Sequence, residues 1–229
     1  MIQHLSIEPP ALIGEMLCDA GHDLHYIHVD KGDVLPENTS DFSGVVIMGG
    51  PQSANDAHLA YIDNELRWLT KTLADGMPML GICLGAQMMA KASAAEISRS
   101  PLRELGWYPV FPTPASGNDP LFADLPTAGL QVFQWHGETF SLPQQASLIA
   151  THPDVPQQIF RLKQAQYGLQ CHIEVDEALI EQWIDAGKSE RTHLGACGLA
   201  TLRHQTAQHL EAMRLFCRRM IGNWLALID

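Results

Sequence analysis

The chain has no long apolar run, no paired-cysteine motif and little positive charge, and each lack removes a class of function. No stretch of its 229 residues approaches the roughly 20 apolar residues of a membrane span. The segment Met1-Ile2-Gln3-His4-Leu5 shows no basic region leading into an apolar one, so no secretory signal is expected. The five cysteines, Cys18, Cys83, Cys171, Cys197 and Cys217, are odd in number and include no C-x-x-C pair. That argues against a disulfide framework and against a zinc ribbon. Reduced thiols and a cytoplasmic location are the expectation. Lys and Arg number 14 against 26 Asp and Glu, for a formal charge of −12. With a pI near 5.2, the chain is a poor match for nucleic acid or an anionic membrane surface. Neither a G-x-x-x-x-G-K-[ST] phosphate loop nor an S-G-G-x-D-S pyrophosphatase loop occurs, so no nucleotide-binding synthetase module is visible.

What is present is a globular pattern. The apolar fraction is 46%, ordinary for a folded domain. Short apolar runs at Ile2–Ile7, Leu24–Val29, Val45–Met48 and Met79–Ile82 read as strands. Helices are expected between them, over Pro10–Ala20 and His58–Ala74. In the second, Leu59, Ile62, Leu66, Leu69 and Leu73 recur at helical spacing. This alternation predicts an α/β fold, a single-domain, open, mostly parallel central sheet flanked by helices. Ligands gather at the carboxyl ends of such strands. A small antiparallel part is expected from Ala95–Ile97, Gly106–Phe111, Leu130–Trp135, Ser147–Thr151, Gln158–Leu162 and Ala165–Val175. Helices over Asp176–Ala186 and about Ala200–Leu227 close the chain, the latter packing through Leu210, Met213, Leu215, Phe216, Met220 and Trp224. One domain over 1–229 is the simplest parse, with a core at 1–175 and a helical C-terminal extension at 176–229.

The most informative segment is Gly81-Ile82-Cys83-Leu84-Gly85. An apolar strand runs directly into a helix-compatible stretch, Leu84–Lys91, with a cysteine at the joint. That is the spacing of a nucleophile elbow with sulfur in place of a hydroxyl. The turn leaves no room for side chains beside the nucleophile, hence glycine on both flanks. Unpaired N–H groups and the helix dipole at that point favour a thiolate. The competing reading is a buried structural cysteine between two packing glycines.

A cysteine nucleophile needs a base, and the base needs an orienting group. Two His-x-Glu pairs offer both, His136-Gly137-Glu138 and His172-Ile173-Glu174. On a strand, residues i and i+2 share a face, so each carboxylate can hold its imidazole. Gly137 suggests that the first pair sits in a turn. The second lies in a longer apolar stretch and is favoured, although spacing alone leaves both open. A metal site built from both pairs lacks a helix-borne ligand pair, and no metal is expected. The Leu84 N–H is one oxyanion donor in this reading, and the glycine pair of Gly49-Gly50-Pro51 is a source of a second. Gln87 lies one helical turn past Cys83 and faces the same side.

Together, Gly49-Gly50-Pro51-Gln52-Ser53, Gly81-Ile82-Cys83-Leu84-Gly85-Ala86-Gln87 and Gly168-Leu169-Gln170-Cys171-His172-Ile173-Glu174 resemble a class I glutamine amidotransferase domain. The likeness covers about residues 40–175 and is strongest to stand-alone proteins similar to the amidotransferase domain of GMP synthase. The resemblance implies Cys83 as nucleophile, His172 as base and Glu174 as orienter, which selects between the two pairs. It implies an oxyanion hole from the N–H groups of Gly50 and Leu84. It implies a glutamine pocket formed by Gly49, Gln87 and the backbone around Trp135, His136 and Gly137. No cofactor is implied. The implied reaction is hydrolysis of the glutamine side-chain amide to glutamate and ammonia through a cysteine γ-glutamyl thioester. The ammonia passes to a partner synthetase subunit or is released; a homo-oligomer is compatible with the pattern. The alternatives are a stand-alone γ-glutamyl peptide hydrolase using the same triad, or a non-catalytic regulatory protein of this fold. Two positions depart from the family: Cys171 replaces an aromatic residue before the histidine, and Ile173 replaces a proline after it. Cys171 is therefore a candidate second oxidisable thiol.

Overall fold

Short, mostly buried runs of two to four residues build the parallel half of the sheet. The structure, a computed structural model, describes residues 1–228. Its strands are β1 (Ile2–Gln3), β2 (Ile27–His28), β3 (Val45–Ile47), β4 (Met79–Ile82), β5 (Ile97–Pro112), β6 (Leu130–Phe140), β7 (Ser147–Thr151), β8 (Ile159–Arg161) and β9 (Gln166–Leu169). The helices are α1 (Ala11–Asp19), α2 (Ala60–Ala74), α3 (Leu84–Ala92), α4 (Glu177–Ala186) and α5 (Lys188–Ile228). The strands form one sheet in the order β2-β1-β3-β4-β9-β8-β7-β5-β6. Pairing is parallel from β2 to β9 and antiparallel beyond it.

The pleat explains why β3, β4 and β9 are buried on both faces. Val46, Leu80 and Ile82 point into a core shared with Leu12 and Ile13 of α1 and with Met213, Phe216, Met220 and Trp224 of α5. Val45, Ile47 and Met79 point the other way, against Ile62 and Leu69 of α2 and Met88 and Met89 of α3. The expected α/β architecture, flanked by helices on both faces, is what the chain adopts. No helix of the described residues is long and apolar enough to cross a membrane.

Element limits differ from the sequence reading where neighbours decide them. Strand β9 ends at Leu169 and not at Val175. Its partners run out there, since Leu169 pairs with Ile82, the last residue of β4, and with Ile159, the first of β8. His172 and Glu174 therefore lie beyond the strand, tied back by a single antiparallel bridge from His172 to Phe133. Strand β6 continues to Phe140, so Gly137 is in a strand and not in a turn. Strand β5 joins Ala95–Ile97 to Gly106–Phe111 through a register shift between Arg99 and Glu104. Strand β1 stops at Gln3 because β2 and β3 offer it few partners. Helix α5 is broken at Gly195 (φ 61°, ψ −179°), and Leu215, expected on its packing face, is 57% exposed.

Candidate active site

The elbow is built by collision. Cys83 follows the last residue of β4 and donates its N–H to the Leu169 carbonyl at 2.8 Å. Its own carbonyl accepts the Gln87 N–H at 3.0 Å, which starts α3 within one residue of the strand's end. The chain can turn that fast only by placing Cys83 at φ 50°, ψ −105°, a conformation that costs a non-glycine residue about 1–3 kcal/mol. The flanking glycines make room. A Cβ on Gly81 would lie 2.6 Å from the Met89 sulfur, and one on Gly85 would overlap the backbone carbonyl of Ile47. Backbone cannot swing aside as a side chain can, so Gly85→Ala must push α3 off β3. The expected cost is about 3 kcal/mol or more, a Tm lower by roughly 6–12 °C for a chain of this size. Thermal unfolding followed by circular dichroism measures it, and an unchanged Tm would contradict this packing.

His172 is fixed from three sides. Its N–H donates to Phe133 O at 2.8 Å. Its ring Nδ1 lies 2.8 Å from Glu174 Oε1, and both residues are 1% exposed. The Trp183 indole of α4 meets the imidazole edge-on at 4.6 Å between ring centroids. Trp183 is held in turn by its Nε1–H, which donates to Ile7 O at 2.6 Å. With Nδ1 engaged by the carboxylate, Nε2 is the ring nitrogen left for the Cys83 sulfur, which interacts with this ring. Burial alone would depress the His172 pKa. The charges of Glu174 and Cys83 outweigh it and hold the imidazole protonated well above its usual range.

A chain of amides backs the thiol. Gln170 Nε2 approaches Cys83 Sγ at 3.7 Å. Gln87 Nε2 donates to Gln170 Oε1 at 3.2 Å and to the Glu138 carbonyl at 3.0 Å. Gln87 thus faces the Cys83 side, as its spacing predicts, with its amide donors held by protein groups. Across from it, the Gly49-Gly50 turn follows β3. A Cβ on Gly50 would come within 2.9 Å of the Leu84 side chain, and one on Gly49 within 3.1 Å of His172 Cε1. Among the described residues, neither the Gly50 nor the Leu84 N–H donates to another group.

The other His-x-Glu pair is not a pair. His136 Nε2 sits 2.9 Å from Glu104 Oε2 of β5, and its Nδ1 faces the backbone carbonyl of Glu138 at 2.9 Å. Glu104 also accepts from Gln158 Nε2 at 2.9 Å, inside a buried polar cluster of the antiparallel half. His136 and Gly137 border the site through the Glu138 carbonyl that Gln87 grips. Trp135 stacks at 5.8 Å on Phe133, whose carbonyl holds the His172 N–H. Cys171 corrects an expectation. It is fully buried, and burial followed by the Glu174 charge pushes its thiol pKa up, so it stays protonated and shielded from oxidants.

Sequence reasoning missed three participants. Trp183 and Gln170 carried no signal beyond their neighbours in the chain. Glu8, in the loop after β1, lies against Gly49 and interacts with His172, Glu174 and His4. Enclosure there raises its carboxyl pKa, and the Glu174 charge adds to the rise. Its place at a strand's carboxyl end was the available clue.

The comparison with known families decides the lineage of this arrangement. The description "Glutamine amidotransferase class-I" matches residues 11–182. The chain belongs to the class I glutamine amidotransferase family. The glutamine amidotransferase-like protein YfeJ of Salmonella typhimurium is 31% identical over 193 residues, 82% of this chain and 80% of that one. A GMP synthase of Porphyromonas gingivalis is 32% identical over 153 residues, 66% of this chain but only 28% of that larger protein. Among solved structures, a Thermotoga maritima glutamine amidotransferase superposes with a TM-score of 0.88 at 29% identity, covering 100% of this chain and 96% of that one. One from Methylobacillus flagellatus gives 0.90 at 27%, covering 100% and 94%. As a family, these proteins act on the glutamine side-chain amide.

Proposed function

We propose that this amidotransferase hydrolyses glutamine to glutamate and ammonia with Cys83 as nucleophile, His172 as general base and acid, and Glu174 as its orienting carboxylate. One observation carries the reading: a cysteine in a strained strand-to-helix turn faces an imidazole whose other nitrogen is bonded to a buried carboxylate. The Cys83 thiolate adds to the side-chain carbonyl carbon of glutamine. The oxygen that gains the charge is received by the Gly50 and Leu84 N–H groups, each such donor being worth about 10²–10³ in rate. The His172 imidazolium gives its proton to the amide nitrogen, the C–N bond breaks and ammonia leaves. Neutral His172 then takes a proton from water, whose oxygen attacks the thioester carbonyl. Glutamate departs and the thiolate is restored. Gly49, Gln87 and the backbone around Trp135, His136 and Gly137 line the pocket for the amino-acid end.

The similarity to GMP synthases, which carry far more sequence than the matched region, supports delivery of the ammonia to a synthetase. A cytoplasmic setting fits five unpaired thiols.

The direct test is incubation with glutamine and with a panel of γ-glutamyl peptides, read by mass spectrometry. Glutamate and ammonia from glutamine are expected. Cleavage of the peptides with glutamine untouched would transfer the same residues to a γ-glutamyl hydrolase. Inertness toward all of them, with Cys83 unlabelled by an electrophilic glutamine analogue, would leave a regulatory protein.

A further inference from the structure

One fully buried ion pair is not used by the chemistry above. His4, one residue past β1, and Glu65, on the buried stripe of α2 between Ile62 and Leu69, are both 0% exposed. His4 Nε2 lies 2.9 Å from Glu65 Oε2. Its Nδ1 lies 3.3 Å from the carbonyl oxygen of Gly49. The carbonyl and an ionised carboxylate both only accept, so with Glu65 ionised both contacts are hydrogen bonds only when both ring nitrogens carry protons. Two charges taken out of water are a poor way to gain stability. The pair's position suggests a different use.

The Gly49 carbonyl and the Gly50 N–H belong to one peptide unit. No peptide bond of the described residues is cis, so the two groups point in opposite directions from a rigid plane. Whatever grips the oxygen aims the hydrogen. A cation on the oxygen also polarises the unit, which strengthens the N–H as a donor. The turn is tied a second time by Gln52 Nε2, which donates to His4 O at 3.2 Å. The Gly50 N–H has no partner among the described residues.

We propose that His4, gripped by Glu65, is a positioning residue that aims and polarises the Gly50 N–H for the oxyanion formed at Cys83. The proposal rests on the reading of Cys83 as nucleophile and Gly50 as oxyanion donor. Two carboxylates face His4, Glu65 from α2 and Glu8 from the loop after β1. Burial alone would lower the His4 pKa, and these two charges with the Gly49 carbonyl raise it instead.

The test is Glu65→Gln, which keeps an acceptor for Nε2 but removes the charge. A kcat for glutamine hydrolysis about 10- to 100-fold lower is expected with KM nearly unchanged, because one donor is misaimed and not lost. The loss should deepen as pH rises, since His4 now sheds its proton at lower pH than in the parent, and should recede at acid pH. Alkylation of Cys83 by iodoacetamide, which needs no oxyanion, should keep the parental rate. A folded variant with parental kcat at every pH would overturn the proposal, as would a loss carried by KM. A parent that releases no ammonia would instead sink the reading of Cys83 on which it rests. Should the variant not fold, the ¹⁵N shifts of the His4 ring in the parent decide: two protonated nitrogens at pH 7.5 are expected, and a neutral ring overturns it.

Discussion

Cys83→Ala is expected to remove glutamine hydrolysis altogether, by a factor of about 10⁴ or more, and to leave the protein folded. The size of the loss follows from the chemistry, because the thioester has no other sulfur to form on. Cys171 is sealed and protonated. The neutrality for folding follows from the geometry. Alanine is smaller than cysteine and no worse at φ 50°, so the elbow survives the exchange. Where a nucleophile and its base act as a unit, losing one costs about as much as losing both. Ammonia release measures the loss, and an unchanged Tm certifies the fold. Mass spectrometry with an electrophilic glutamine analogue adds the covalent readout: one adduct on the parent, none on the variant. Appreciable turnover by Cys83→Ala would end the covalent account.

His172→Ala is expected to cost about 10²–10⁴ in kcat, the usual worth of a positioned proton-transfer group. The contrast is His136→Gln. That substitution disturbs the contact with Glu104 but touches neither the sulfur nor Glu174, so turnover should stay within several-fold of the parent. The reverse ranking would mean that the wrong imidazole has been assigned. The parent's pH profile checks the same residue. Glu174 and Cys83 raise the His172 pKa, so the imidazolium needed to protonate departing ammonia persists past the ordinary histidine range of about 6.5. Activity should therefore fall on the alkaline side only as pH rises through that raised value. Glu174→Gln removes the first raising charge, and the alkaline fall should move to lower pH. The same direction governs stability. The protonated, paired form is fully favoured below the unfolded pKa, and its contribution is lost as pH climbs through the folded one.

How much could be read from the chain alone depended on how local the cause was. The elbow was legible because its requirements lie within five residues: a strand, a turn, a helix start and two positions without side chains. The two His-x-Glu pairs looked alike because spacing is the same in both. What separates them comes from elsewhere, with Glu104 arriving on β5 to take His136. Even for His172 the alternation argument had the wrong setting. The residue sits past the end of β9, and its contact with Glu174 is made in an irregular stretch pinned by Phe133. Contacts that join distant parts of the chain were invisible. His4 meets Glu65 across 61 positions and Trp183 meets Ile7 across 176. No periodicity encodes either. The parallel strands were found because burial on both faces writes continuous apolar runs; β4 matched at both limits, whereas β1, β2 and β9 are shorter than the runs suggested, because a strand stops where its neighbours do.

On the proposed mechanism, the indole of Trp183 gives the C-terminal helices a stake in catalysis. It stands just past the residues the family description matches, yet it braces the ring that would carry every proton in the reaction. On that reading, a fragment ending at Val175 would lose the ring that stands against His172. The tail is better regarded as scaffolding that the chemistry leans on, and any graft of a foreign synthetase at that boundary must supply an equivalent aromatic brace.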